Sequence, residues 1–261
     1  MHSLYTKSRA NLVSNGRADC QLWPLNCSSG SATVYQVATV DSHNQPHVRS
    51  QVHRGFIIPR EAQELPLLIT SSDVRAPKVT QMLTNPSLEI AWWMEGTQDQ
   101  FRISGKVFVI PPPDNAFHTM KSTQHGLTMR TLDDSGEERD DGENCVSELG
   151  KFDWEKKRRE VFEDMSPGMK ATWCAPIAPG SKIPSYDEPN KWREPVPYFK
   201  DIKTDEERER YETALGNFAL LLIEPVKIDW VQLGEHPNRR TIFTRKDESD
   251  GTKWDEAIVA P

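Results

Sequence analysis

Cysteine is scarce in this chain of 261 residues: there are four, Cys20, Cys27, Cys145 and Cys174, and no two form a CxxC pair. That spacing offers neither a zinc ribbon nor a disulfide framework, and it fits free thiols in a reducing compartment, the cytoplasm. No apolar run approaches the length of a membrane span, and the first residues, MHSLYTKSRANL, lack the apolar centre of a secretion signal. Positive charge is also short. The 32 Lys and Arg face 39 Asp and Glu, a net charge of −7, which argues against nucleic acid as a general partner and confines any basic site to a local cluster. The phosphate-loop patterns GxGxxG and GxxxxGK[ST] are missing, as are HExxH and GxSxG. His43 and His47 stand four apart, but Pro46 rules out the helix that would align them, so no metal site is expected. Asp and Glu are plentiful, yet none form a recognisable general acid and base pair. Such a chain is suited to letting a cofactor carry its chemistry.

What is present is a series of short strands. TVYQVATV and HVRSQVHRGFII flank the turn formers DSHNQP, which predicts a hairpin over 33–58. A third strand at 65–71 leads into a helix at 77–84, ended by Asn85-Pro86 because proline disfavours helix in the residue before it. SLEIAWWME and DQFRISGKVFVI form another strand pair, stopped by the triple proline at 111–113. Helices are expected at 4–15, 114–124, 152–164 and 204–215. The apolar run FALLLIEPVKIDWVQL, then RRTIFTR and WDEAIVA, supply further strands. Strands with few helices between them predict a mainly β, α+β fold, an antiparallel sheet or barrel over a single domain spanning 1–261. Residues 133–148 hold eight Asp or Glu against one Arg, which predicts a disordered acidic insertion at 130–150. The segment 174–200 is rich in proline and reads as an extended loop.

The stretch Gln45–Lys78 carries the chemistry. Cations recur at Arg49, Arg54, Arg75 and Lys78, with Thr70, Ser71 and Ser72 between them. Pro77 suits the first position of a helix, whose free N–H groups beside Arg and Lys favour a phosphate dianion. Four cations in a strand-rich stretch also describe a solvated face. In a regular strand Arg49 and Arg54 face opposite sides, so one ligand can use both only where the strand ends or bulges.

The order of segments resembles the pyridoxamine 5′-phosphate oxidase-like family of FMN-binding split barrels, nearest to a branch common in cyanobacteria and fungi. The resemblance runs from about Gln36 to Pro261 through QVATVD, QPHVRSQVHRGF, TSSDVRAPKV, NPSLEIAWW, QFRISGKV, LLLIEPVKIDWVQL, NRRTIF and a closing W…AP. It implies a six-stranded antiparallel barrel and a homodimer binding FMN at each subunit interface. By position, Arg49 and Lys78 match residues holding the FMN phosphate, and Ser71 and Ser72 match a neighbouring pair. Arg54 matches a lysine near flavin and substrate, Gln100 a glutamine near the flavin ring, and Trp230 and Arg240 late FMN contacts. Ala76 and Pro77 replace the family's serine–arginine pair, with Arg75 standing in one position earlier. The family's substrate-binding Arg-x-His is here His236-Pro237-Asn238, which removes an arginine for the substrate phosphate and changes the ring contact.

The resemblance therefore implies an FMN-dependent oxidoreductase acting on a small molecule, with Arg54, His236 and Asn238 as substrate contacts. Three alternatives stand beside it. They are pyridoxamine 5′-phosphate oxidation using another cation such as Arg158 or Arg159, flavin binding without catalysis, and a different cofactor such as haem or a deazaflavin in the same barrel.

Overall fold

The run FALLLIEPVKIDWVQL has too many consecutive apolar residues for a strand with one wet face. The computed structural model, which describes residues 33–57, 66–115, 153–192, 194–246 and 254–261, shows what covers both. Nine strands form one antiparallel sheet: β1 (Val34–Val40), β2 (Pro46–Val52), β3 (Gly55–Ile57), β4 (Leu67–Asp73), β5 (Ser87–Met94), β6 (Asp99–Ile110), β7 (Phe218–Gln232), β8 (Arg239–Arg245) and β9 (Trp254–Ile258). Their order is β2-β1-β5-β6-β7-β4-β3, with β8 paired to β7 and β9 to β8. The helices are α1 (Pro77–Thr84), α2 (Trp154–Glu163), α3 (Pro167–Lys170) and α4 (Asp205–Asn217).

The count of nine corrects the expected six, for reasons that lie in the backbone. HVRSQVHRGFII does not run on as one strand. It breaks at His53–Arg54, and Gly55 restarts it as β3 with φ at +129°. The 15 residues of β7 have β6 along one edge and share the other between β4, at Phe218–Ile223, and β8, at Lys227–Gln232. The sheet curls until its ends meet. Thr70 Oγ1 donates to Val52 O at 2.7 Å and Gln51 Nε2 to Ser71 O at 2.6 Å, tying β4 to β2. The register of β6 against β7 shifts at a bulge between Ser104 and Gly105. There a Cβ would stand 2.6 Å from Glu224 O, so the position requires glycine.

Two apolar clusters fill the two sides of β7. Ala219, Leu221 and Ile223 point into the curl with Tyr35, Val37, Ile90, Trp92 and Ile103, closed at one end by Val79 and Met82 of α1. Phe218, Leu220 and Leu222 point outward against Phe162, Trp173, Tyr211 and Leu215 of the helical layer. The alternation that a half-wet strand shows is kept in β5, whose residues alternate exposed and buried throughout. Each helix has its own start signal. Thr204 and Glu207 make a reciprocal capping box on α4, and Asp153 accepts from Lys156 N on α2.

The basic stretch KKRR of α2 does not all face solvent. Arg158 is 1% exposed; its guanidinium pairs with Glu155 at 2.7 and 2.8 Å and donates to Leu215 O at 2.7 Å and Phe218 O at 2.8 Å. It therefore satisfies carbonyls where α4 hands over to β7 and is not free to meet a substrate. The helix expected at 4–15, most of that at 114–124, the acidic insertion at 130–150, and Cys20, Cys27 and Cys145 lie outside the described residues. Among the described residues no helix is long and apolar enough to cross a membrane. Arg158→Met removes the guanidinium donor from both carbonyls, leaving Leu215 O with only the Phe218 N–H, and takes the Arg158 partner from the Glu155 carboxylate. It should lower the free energy of urea unfolding by about 3 kcal/mol; a loss within about 0.5 kcal/mol would show that the guanidinium is dispensable.

Candidate functional site

Strand period and helix period bring the first group together. Opposite residues of β1 and β2 share a face, so Arg49 and Gln51 lie on the same side as Val37 and Tyr35, toward α1. From α1, Lys78 and Gln81, three residues apart, project from one face to meet them. Arg49 donates to Thr39 Oγ1 at 2.6 Å, Gln81 Oε1 at 2.9 Å and Val37 O at 3.4 Å, and Thr39 Oγ1 donates to the same Gln81 oxygen at 2.7 Å. Lys78 Nζ donates to Gln51 Oε1 at 3.2 Å, while the other end of that amide holds Ser71 O. Gln51, Gln81 and Thr39 were not among the residues singled out from the sequence. The signal for them was periodicity: Gln51 is two residues from Arg49 on a strand and Gln81 three from Lys78 on a helix.

The strand end supplies what a regular strand cannot. Between β2 and β3 the chain leaves the ladder, Arg54 N bonds Ile69 O, and Arg54 Nε reaches Ser71 Oγ at 3.4 Å. Ser71 and Ser72, adjacent on β4, project to opposite faces. Ser72 is buried and donates to Asp73 O at 3.0 Å, so of the two serines only Ser71 meets a cation, Arg54. Arg75 is differently placed. Asp73 holds it with Oδ1 at 3.0 Å and Oδ2 at 2.7 Å, and its remaining arm donates to Ala175 O at 2.9 Å.

Charge pairing separates these cations sharply. Among the described residues Arg49, Arg54 and Lys78 have no carboxylate within ion-pair distance, whereas Arg75, Arg158, Arg240 and Arg245 each have one. Burial pushes the Arg49 and Arg54 guanidinium groups below their ordinary range. It does the same to the Lys78 ammonium, with the nearby Arg49 charge adding to the effect and Asp73 opposing it. Partly desolvated like charges gathered without a counter-ion are unfavourable alone and become favourable around an anion. Pro77 opens α1 and Ala76 gives no side-chain cap, which leaves the positive end of the helix uncapped in the turn that carries Lys78.

The remaining residues singled out from the sequence form a second group. Gln100 on β6 accepts from Arg102 Nε at 3.3 Å; Trp230 on β7 donates to Asp99 Oδ1 at 2.9 Å and stacks on Phe101. Arg240 on β8 is gripped by both oxygens of Asp229 at 2.9 Å, and that guanidinium holds the Asp229 carboxyl below its usual range. His236 and Asn238 are exposed in the turn between β7 and β8. Strands β1 and β5 separate this group from Arg49 within one chain. On the outward face of β2-β1-β5-β6, Val48, Val34 and Trp93 are exposed, and the register puts Gln100 on that face opposite Trp93.

Residues 23–111 match the family model of the pyridoxamine 5′-phosphate oxidase FMN-binding domain, a span that includes the first group and Gln100. Pyridoxine/pyridoxamine 5′-phosphate oxidase 2 of Arabidopsis thaliana is 28% identical over 85 residues, which is 33% of this chain and 40% of that protein. A crystal structure of a pyridoxamine 5′-phosphate oxidase-related, FMN-binding protein from Nostoc punctiforme superposes with a TM-score of 0.58 at 22% identity, over 90% of this chain and 91% of that one. PhzG from Burkholderia lata, in complex with tetrahydrophenazine-1-carboxylic acid, gives 0.50 at 11% identity, over 88% and 83%. The curled sheet is consistent with the split-barrel fold, and the matches support the pyridoxamine 5′-phosphate oxidase-like family and FMN as the cofactor. The donor set of the first group, cations and a hydroxyl without a carboxylate, fits the phosphate of that cofactor.

One titrating group sits behind this site. His53, next to Arg54, packs between Phe56, Trp92 and Tyr35 with ring centroids 4.5, 4.9 and 6.0 Å away, and its buried Nδ1 has no partner among the described residues. Burial pulls it down from 6.5 to about 4. The unfolded chain therefore binds a proton that the folded one refuses, so His53 removes stability as pH falls from 6.5 toward about 4. Thermal midpoints measured across that window should fall more steeply for the wild type than for His53→Phe; equal slopes would contradict the assignment.

Proposed function

We propose that the protein is an FMN-dependent oxidoreductase acting on a small molecule, assembled as a homodimer in the cytoplasm. The observation that carries this reading is that three cations, Arg49, Arg54 and Lys78, have no carboxylate within ion-pair distance among the described residues and are held instead by hydroxyls, amides and a carbonyl. In this reading Arg49 and Lys78 hold the phosphate, Ser71 donates beside them, and Arg54 stands between phosphate and substrate. Bound FMN supplies two-electron redox chemistry, with oxygen or a nicotinamide nucleotide completing the cycle. Gln100, Trp230 and Arg240 lie in the second group, so they reach the same flavin only from a second copy. The exposed apolar face carrying Val34, Val48 and Trp93 is the surface on which that copy would pack. Light scattering should then give twice the chain mass of 29.8 kDa, and a monomer would reject this part.

Pyridoxamine 5′-phosphate itself is not the favoured substrate. The turn that would contact it offers His236 and Asn238, both exposed, and Arg158 is occupied in the helical layer. The same exposed turn favours a second reading, flavin binding without catalysis. An absorption spectrum of the purified protein, repeated without oxygen after adding candidate donors, separates these. The expected result is a flavin spectrum that pyridoxamine 5′-phosphate leaves intact and a reduced nicotinamide nucleotide bleaches. Bleaching by pyridoxamine 5′-phosphate, with hydrogen peroxide on re-aeration, would restore the oxidase. A spectrum that no donor bleaches would leave the binding role. Failure to take up added FMN would reject the flavin reading.

A further inference from the structure

We propose that Gln81 is a specificity-determining residue: its neutral amide positions Arg49 without neutralising it, and so reserves that charge for a phosphate on the ligand. The inference rests on the phosphate reading of the Arg49–Lys78 group and deepens it.

The argument comes from how this chain treats its other partly buried arginines. Arg75 is held by Asp73 at 2.7 Å, Arg240 by Asp229 at 2.9 Å and Arg158 by Glu155 at 2.7 Å, and Arg245 pairs with Glu224. A guanidinium that must be fixed in place is thus given a carboxylate four times over. Arg49 needs the same fixing and gets an amide. Gln81 Oε1 accepts from Arg49 at 2.9 Å and from Thr39 Oγ1 at 2.7 Å, and Thr39 Oγ1 accepts the other guanidinium arm at 2.6 Å. Both bonds to Gln81 use its oxygen alone, so a carboxylate of the same shape would accept both and strengthen the one from Arg49. Glutamate is also as good a helix former as glutamine. Stability gives no reason to prefer the amide at this position. Charge does: a carboxylate here would stand against Arg49, and its field would also offset the ammonium of Lys78, one helical turn away. Gln51 repeats the arrangement beside Lys78, accepting from Nζ at 3.2 Å. Two cations of the group are therefore held by amides, and the charge they carry is left for the ligand.

The experiment compares FMN with riboflavin, which differ only in the phosphate, on the full chain stripped of flavin. Wild type should bind FMN more tightly than riboflavin. Gln81→Glu should weaken FMN roughly tenfold or more while changing riboflavin by less than about twofold, with an unfolding midpoint equal to or above that of the wild type. Gln81→Met, which removes the acceptor without adding charge, should keep most of the preference for FMN. If Gln81→Glu does not fold, Gln51→Glu, which sets the same charge beside Lys78, carries the same expectation. A wild-type preference that survives in Gln81→Glu would overturn the inference, and so would an equal loss in Gln81→Met, since the bond and not the charge would then matter. Equal affinity of the wild type for the two flavins would instead reject the phosphate reading, before any variant is measured.

Discussion

Arg49, Arg54 and Lys78 have no carboxylate within ion-pair distance among the described residues, and Gln51 and Ser71 link the elements that hold them. Arg49 comes from β2, Arg54 from the break after it and Lys78 from α1. Burial and then the Arg49 charge push the Lys78 ammonium down, with Asp73 opposing them, a cost that a bound anion would offset. What resists it is packing. Val79 and Met82 anchor α1 in the barrel core, and Thr70 and Gln51 tie β4 to β2. A site of this kind needs a scaffold that does not yield, and β7, packed on both faces, supplies it.

The same logic divides the arginines into two kinds. Where a guanidinium serves the fold, as Arg158 does between α4 and β7, the chain places a carboxylate beside it and uses the remaining arms on carbonyls. Arg75 follows this pattern: Asp73 orients it and Ala175 O takes its free arm, which fastens the proline-rich segment to the turn before α1. Around Arg49, Arg54 and Lys78 the side-chain neighbours are instead hydroxyls and amides.

Much of this was legible in the sequence, and the failures have physical causes. The helix at 77–84 was readable because Pro77 and Asn85-Pro86 mark both ends, and the first hairpin because Asp41 is a turn former. In the fold the Asp41 carboxylate bonds His47 Nε2 at 3.0 Å and accepts from Gln45 N and His43 N, which together pull its pKa down to about 2. The count of six came from the family resemblance; the runs themselves name eight strands and miss only the break at His53–Arg54, which nothing in HVRSQVHRGFII announces apart from one glycine. Partners distant in sequence stayed hidden: Arg158 with Leu215 and Phe218, and Arg75 with Ala175. The candidate site was legible as a list of cations. Which of them carry free charge was not, since that depends on whether the neighbour is a carboxylate or an amide, as with Asp73 beside Arg75 and Gln81 beside Arg49.

The most direct test of the account is the phosphorus resonance of protein-bound FMN followed against pH. The second ionisation of a phosphate monoester falls near pH ~6, and a cage of unneutralised cations must favour the dianion. The account predicts that the bound phosphate titrates at least about one unit lower than free FMN, and that replacing Arg49 by Met moves it back toward the free value. A bound resonance that follows free FMN through the whole titration would mean that the phosphate does not meet Arg49, Arg54 and Lys78, and the central claim would be wrong.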